Sequence, residues 1–177
     1  MEQRTIAFIG GGNMARSLIS GLINAGHPAQ LIHVTDLDQD KLSELAEQFG
    51  VQTSMDNALA AQQADVLVLA VKPQYMAEML TALTTTLGDY QHKLVISIAA
   101  GISVARLSAL LGGHGNIVRT MPNTPALIGL GMTGLFAAPA VSLADCDFAE
   151  QMLQAVGKTV WVGNESGINS VIAASGS

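Results

Sequence analysis

Short apolar runs and amphipathic stretches alternate along this chain with few residues between them. Thr5-Ile6-Ala7-Phe8-Ile9 is an apolar run that ends in three glycines. The spacing of Met14, Leu18, Leu22 and Ile23 predicts a helix from Met14 to Ala25, stopped by Gly26. Leu31 to Thr35 reads as a second strand, and Asp38 to Phe49 as a second helix with its charges outward. Val66 to Val71 is the strongest run, as expected of a strand covered on both faces. Pro73 suits the first turn of a helix whose buried face is marked by Met76, Leu80, Leu83 and Leu87. Lys93 to Ile98, Val104 to Leu111 and Asn116 to Thr120 continue as strand, helix and strand. The rhythm then weakens. Met132 to Ala137 reads as a strand, and Ser142 to Asp145 resembles a capping box opening a helix to about Val156. Lys158 to Val162 and Ser166 to Ala174 follow as strand and helix. Alternation at these lengths predicts an α/β, doubly wound, mostly parallel sheet with helices on both faces.

Composition narrows the function classes. A length of 177 residues suits one well-packed domain and is short for two. Hydrophobic residues reach 49% and charged residues only 12%. A covered parallel sheet explains part of that, and apolar surface meant for a partner or a further chain segment explains the rest. A net charge of −6 excludes the basic footprint that nucleic acid requires. Cys146 stands alone, so no internal disulfide framework exists, which suits a reducing cytoplasm. Strand-like sequence begins by Thr5, leaving no room ahead of it for a signal peptide. Thr120 to Ala144 carries no charge, but three prolines, three glycines and Asn123 interrupt it, so it is not read as a membrane span.

Four motifs carry chemistry. Gly10-x-Gly12-x-x-Ala15 lies between a strand and a helix, the context in which this pattern signals a Rossmann-type dinucleotide site and not an ordinary glycine-rich turn. Gly10 permits the turn, Gly12 lets backbone approach a pyrophosphate, and Ala15 keeps helix and strand close. The helix amino terminus then offers amide hydrogens to phosphate. Asp36 ends the second strand, where a carboxylate bonds ribose hydroxyls and repels a 2′-phosphate; a solvated turn carboxylate is the alternative. Ala70-Val71-Lys72-Pro73 and Ser97-Ile98-Ala99-Ala100-Gly101 end two further strands at the ligand-binding edge. Lys72 reads equally as a group aimed at ligand or as a solvated cap. In Met121-Pro122-Asn123-Thr124-Pro125, Asn123 offers a donor and an acceptor, although a rigid structural turn explains the spacing as well. His27, His33, His92 and His114 are scattered without metal-ligand spacing, so no metal site is read. Ser175 has no nucleophile-elbow context.

Ile9 to Ala15, Ala70 to Pro73, Ser97 to Gly101 and Met121 to Pro125, in that order and spacing, resemble pyrroline-5-carboxylate reductases, and Ser175-Gly176-Ser177 resembles the start of that family's Ser-Gly-Ser segment. The resemblance implies hydride transfer from NADPH or NADH to the carbon–nitrogen double bond of 1-pyrroline-5-carboxylate, giving L-proline. It implies that Ile9, Gly10, Gly11, Gly12, Asn13, Met14, Ala15, Asp36 and Asn57 contact the cofactor. Ala70, Val71, Lys72, Pro73, Ile98, Ala99 and Ala100 would line its nicotinamide half, and Lys72 and Asn123 are the catalytic candidates. The family commonly uses NADPH, with small polar residues where Asp36 stands here. Its members continue as a helical domain that forms the dimer and most of the substrate pocket. Residues 1–165 are therefore expected to form the dinucleotide-binding domain and 166–177 to begin the helical one, in a protein that is homo-oligomeric at full length. A related imine or β-hydroxyacid oxidoreductase, or a non-catalytic dinucleotide-binding sensor or partner module, are the competing readings.

Overall fold

The computed structural model describes residues 1–174; the Ser175-Gly176-Ser177 segment lies outside the described residues. β1 (Ile6–Ile9), α1 (Asn13–Asn24), β2 (Ile32–Thr35), α2 (Gln39–Phe49), β3 (Gln52–Ser54), α3 (Asn57–Gln63) and β4 (Val66–Leu69) form the first half. α4 (Pro73–Thr86), β5 (Leu94–Ser97), α5 (Val104–Leu110), β6 (Ile117–Met121), β7 (Gly131–Ala137), α6 (Leu143–Gln154), β8 (Gly157–Trp161) and α7 (Gly167–Ala174) complete it. The strands form one sheet in the order β3-β2-β1-β4-β5-β6-β7-β8. Six strands, β1 to β6, run parallel; β7 is antiparallel to β6, and β8 is parallel to β7. This is the doubly wound α/β fold that the strand–helix alternation predicts.

Strand geometry sends successive side chains to opposite faces, and the two cores follow from it. Ile6, Phe8, Val34, Val66, Val68 and Ile96 pack under α1, α2 and α6 through Leu18, Leu22, Leu45, Phe148 and Met152. Ala7, Ile9, Leu67, Leu69 and Val95 pack on the other face under α3, α4 and α5 through Ala60, Met76, Leu80 and Leu107. Every residue of β1, β2, β4 and β5 is buried, which is why those runs are apolar without alternation.

Local signals set the helix ends. Asp38 caps α2 by accepting from the amides of Asp40 and Lys41, and Gly50 closes it in the left-handed conformation. Ser142 caps α6 through the Asp145 amide, the bond expected of the capping box. Lys93 is buried at the opposite edge of the sheet, and its Nζ donates to the Gln62 and Ala64 carbonyls at the end of α3.

The sequence pattern missed β3 and α3. β3 has three residues and no apolar core face, and the buried side chains of α3 are the small Ala60 and Ala61. The Met121–Pro125 loop is also more ordered than a bare turn, since Thr124–Ile128 forms a 3₁₀ helix. The chain reverses there, which explains the antiparallel β7. Among the described residues no helix is long and apolar enough to cross a membrane.

Candidate functional site

β1 is the point at which strand order reverses, with β2 on one side and β4 on the other. The loops after β1 and β4 therefore leave in different directions and open a crevice at the carboxyl edge. A cavity of about 310 Å³ lies there. Its floor is Ile9 and the three glycines, and one wall is Thr35, Asp36, Leu37 and Lys41. The opposite wall is Asn57, Ala70, Val71 and Lys72, with Tyr75 and Met79 of α4 closing one side.

The glycines have separate physical reasons. Gly10 has φ +107°, and a Cβ there would stand 2.7 Å from the Ala70 carbonyl oxygen, so the turn and the close approach of β4 both require glycine. A Cβ on Gly12 would meet no atom within 4 Å. Its empty side faces open space beside the loop. Gly12 is also the N-cap of α1, and no side chain caps that helix. The first bond to the loop runs from the Arg16 amide to Gly12 O at 2.9 Å, so among the described residues the amides of Asn13, Met14 and Ala15 are left for another acceptor.

Asp36 is held in place. Its Oδ2 accepts the Gly11 amide at 2.9 Å, and its Oδ1 accepts the Asp38 amide at 2.9 Å. Lys41 Nζ lies 3.6 Å from Oδ2. Burial by itself would raise the Asp36 carboxyl, but the amides of Asp38, Gly11 and Leu37 together with Lys41 outweigh it, and the net shift is downward. A carboxylate thus sits where the second strand ends, ionised and fixed against the glycine loop.

Nine of the residues singled out from sequence line this one cavity: Ile9, Gly10, Gly11, Gly12, Asp36, Asn57, Ala70, Val71 and Lys72. Lys72 is the exposed N-cap of α4 and makes no ion pair or side-chain hydrogen bond among the described residues. Asn13 lies in an adjoining hollow with Arg16, Asp38, Asp40 and Glu44. Ala15 is buried in the first turn of α1, Met14 is half-buried, and Pro73 is exposed at the first position of α4. Ile98 and Ala99 leave β5 at the same carboxyl edge, with Ile98 N donating to Leu69 O at 3.1 Å, and Ala100 is exposed; none of the three lines the cavity. Asn123 is 6% exposed, and its Oδ1 accepts the Met132 amide at 2.9 Å, so it braces the start of β7.

Thr35, Leu37, Lys41, Tyr75 and Met79 line the cavity and were missed from sequence. Tyr75 and Met79 stand four apart on α4, a spacing that puts them on one side of the helix. That signal was available but hidden behind the stronger Met76–Leu80–Leu83 stripe. Lys41 carried none, because a lysine in a helix reads as solvated. A second hollow of about 360 Å³ lies between α1, the end of α2 and the Ala126–Gly129 turn. It contains none of the motifs and is away from the strand-order reversal. Among the described residues no cluster of His, Cys, Asp or Glu could hold a metal ion.

Residues 5–101 match the family model described as NADP oxidoreductase coenzyme F420-dependent. The chain belongs to that family. Those residues run from β1 to the end of the β5 loop and so include the whole crevice. Pyrroline-5-carboxylate reductase of Vibrio alginolyticus is 51% identical over 177 residues, all of this chain and 64% of the relative. A solved pyrroline-5-carboxylate reductase from Coxiella burnetii superposes with a TM-score of 0.92 at 41% identity, covering 97% of this chain and 63% of that one. The Plasmodium falciparum pyrroline carboxylate reductase structure, with NADP bound, gives a TM-score of 0.83 at 26% identity over 99% of this chain and 63% of that one. The resemblance drawn from the four motifs therefore holds along the chain, which spans just under two thirds of the length of these relatives.

Proposed function

We propose that this chain is the dinucleotide-binding part of a pyrroline-5-carboxylate reductase, which transfers hydride from NADPH or NADH to the C=N bond of 1-pyrroline-5-carboxylate and yields L-proline. The observation that carries the reading is the 51% identity to the Vibrio alginolyticus enzyme along all 177 residues. The crevice fits the cofactor independently. It has a glycine loop with an open approach at Gly12, an uncapped helix terminus, and a carboxylate at the end of β2.

Gly10, Gly11 and Gly12 with the first amides of α1 would hold the pyrophosphate. Asp36 would face the adenosine ribose, Asn57 would touch the cofactor, and Ala70 to Pro73 with Ile98 to Ala100 would flank the nicotinamide half. A reduced nicotinamide bound there supplies the hydride. The chain's own task is to orient the reactants and keep water out, because a protonated imine is already a good hydride acceptor. Lys72, cationic at the strand end, suits attraction of a carboxylate-bearing substrate. Residues 1–165 form the cofactor domain in this reading, and 166–177 begin a helical domain that completes the substrate pocket in a cytoplasmic homo-oligomer.

The test is direct. Titration of the chain with NADPH and with NADH, followed by nicotinamide fluorescence, should show saturable binding. Failure to bind either one removes the reading. Activity is tested on the full-length gene product, offering 1-pyrroline-5-carboxylate beside other cyclic imines and β-hydroxy acids. Preference for another member of that panel would reassign the reaction.

A further inference from the structure

An ion pair between a buried arginine and a half-buried glutamate joins three segments that are distant in sequence. Arg119 lies on β6 with 8% of its surface exposed, and its Nη1 donates to Glu165 Oε1 at 3.1 Å. The same oxygen accepts the amide of Val104, the first residue of α5, at 2.6 Å. Glu165 stands in the turn between β8 and α7, just ahead of the helix. One carboxylate therefore fixes the middle of β6, the start of α5 and the start of α7. Among the described residues Arg119 Nε is buried without a hydrogen-bond partner and Glu165 is the carboxylate paired with the guanidinium.

The course of α7 follows from where it is clamped. It starts against Val162, whose Cβ is 3.1 Å from where a Cβ on Gly167 would stand. One turn later Val171 covers Gly134, with its Cβ 3.4 Å from the position of a Cβ there. Val162 bonds the Leu135 carbonyl, and Gly134 pairs with Met121, the last residue of β6. The helix therefore runs toward the carboxyl end of β6. β6 is parallel to β5, β4 and β1, so this is the sheet edge that carries the Gly10 loop and the Ala70–Pro73 turn.

We propose that Arg119 and Glu165 are positioning residues for the reductase reaction, aiming α7, and the polypeptide that continues from it, at the edge where the dinucleotide lies. The inference rests on the reading given under Proposed function. It adds that the geometry between the two halves of the site is set by an ion pair that touches neither cofactor nor substrate.

A buried charge left alone costs more than the loss of the whole pair, and this separates aim from stability. Glu165→Gln alone should lower the thermal midpoint. The double variant Arg119→Met/Glu165→Leu removes the orphan charge together with the oxygen that accepts the Val104 amide, and should regain most of that loss while the clamp on α7 stays absent. In the full-length gene product the double variant should keep its NADPH dissociation constant within about twofold and lose about tenfold or more in kcat for 1-pyrroline-5-carboxylate. Hydrogen exchange should quicken in α7 by about tenfold and stay unchanged in α1 and α4. A double variant with restored midpoint and wild-type kcat overturns the proposal and reduces the pair to a structural one. If the parent protein binds NADPH but does not reduce the imine, the reductase reading fails separately. Unchanged exchange in α7 would then still overturn the clamp.

Discussion

Two glycines two residues apart behave differently because their surroundings differ. Gly10 has a positive φ and abuts the Ala70 carbonyl, whereas Gly12 faces open space. Gly10→Ala should therefore lower thermal stability through the turn itself. Gly12→Val should leave the thermal midpoint near wild type and weaken dinucleotide binding at least tenfold, about 1.4 kcal/mol. Fluorescence titration beside a melting curve checks both; equal affinity in Gly12→Val would move the pyrophosphate away from the loop. At Asp36 the carboxylate binds the Gly11 amide and stands beside Lys41. Asp36→Ser should shift preference toward NADPH, because a 2′-phosphate would no longer meet a fixed negative charge and Lys41 would be released to meet it. Competition between NADH and NADPH reads this out, and a wild type that already binds NADPH much more tightly would sink the assignment. These residues were legible because their types are rare at such positions. Asn123 was legible as a special residue, but its bond to the Met132 amide depends on a strand arriving from the far side of a turn, which no local pattern reveals.

Among the elements, legibility followed the size of the buried side chains. β1, β4 and β5 announce themselves because all their positions are covered. α3 does not, because alanines give little periodic contrast; its start is held by Asp56, whose side chain accepts the Leu59 amide. β2 and the turn leading into it carry a further property. His27 and His33 are 5% and 8% exposed. Burial is the leading cause that holds both imidazoles below the ordinary value; for His27 a contact with the Arg4 backbone opposes it and the amino terminus adds to it. A base with a depressed folded pKa takes up its proton more readily in the unfolded chain. Stability is therefore complete above the ordinary histidine range and falls as pH drops through it. Thermal midpoints should decline as pH falls below the ordinary histidine range, and the decline should flatten in His27→Asn/His33→Asn. The Asp36 carboxyl, shifted downward, loses its contribution only at lower pH, below the ordinary carboxylate range, so the two effects separate. An unchanged slope in the double histidine variant would place the acid sensitivity elsewhere.

At the scale of the molecule, the alternation of strands and helices announced the doubly wound sheet, while the reversal at β7 and the pairing of β8 depend on contacts no window of sequence contains. In α7, Ile168 is buried and Val171 packs on Gly134. Leu127, Ile128 and Leu130, at 42%, 74% and 73%, form an exposed apolar run on the turn between β6 and β7. That turn, the course of α7 and the crevice all belong to the carboxyl-edge region of the sheet, while the relatives extend for another third of their length. Binding a dinucleotide asks only for the crevice, which is complete within residues 5–101. Turnover asks also that the imine be held against the nicotinamide, and loss of that orientation can remove several kcal/mol of catalysis. The 177-residue chain should therefore bind NADPH or NADH but reduce 1-pyrroline-5-carboxylate negligibly, and it should self-associate through the Leu127–Leu130 turn. Cofactor oxidation is measured beside a version extended with the remaining third of the Vibrio alginolyticus relative, and light scattering follows Leu127→Ser/Ile128→Ser/Leu130→Ser. Equal rates from the short and extended versions would put the substrate site inside the crevice, with Lys72 in contact with the imine. An unchanged association state in the triple variant would clear the turn of that role.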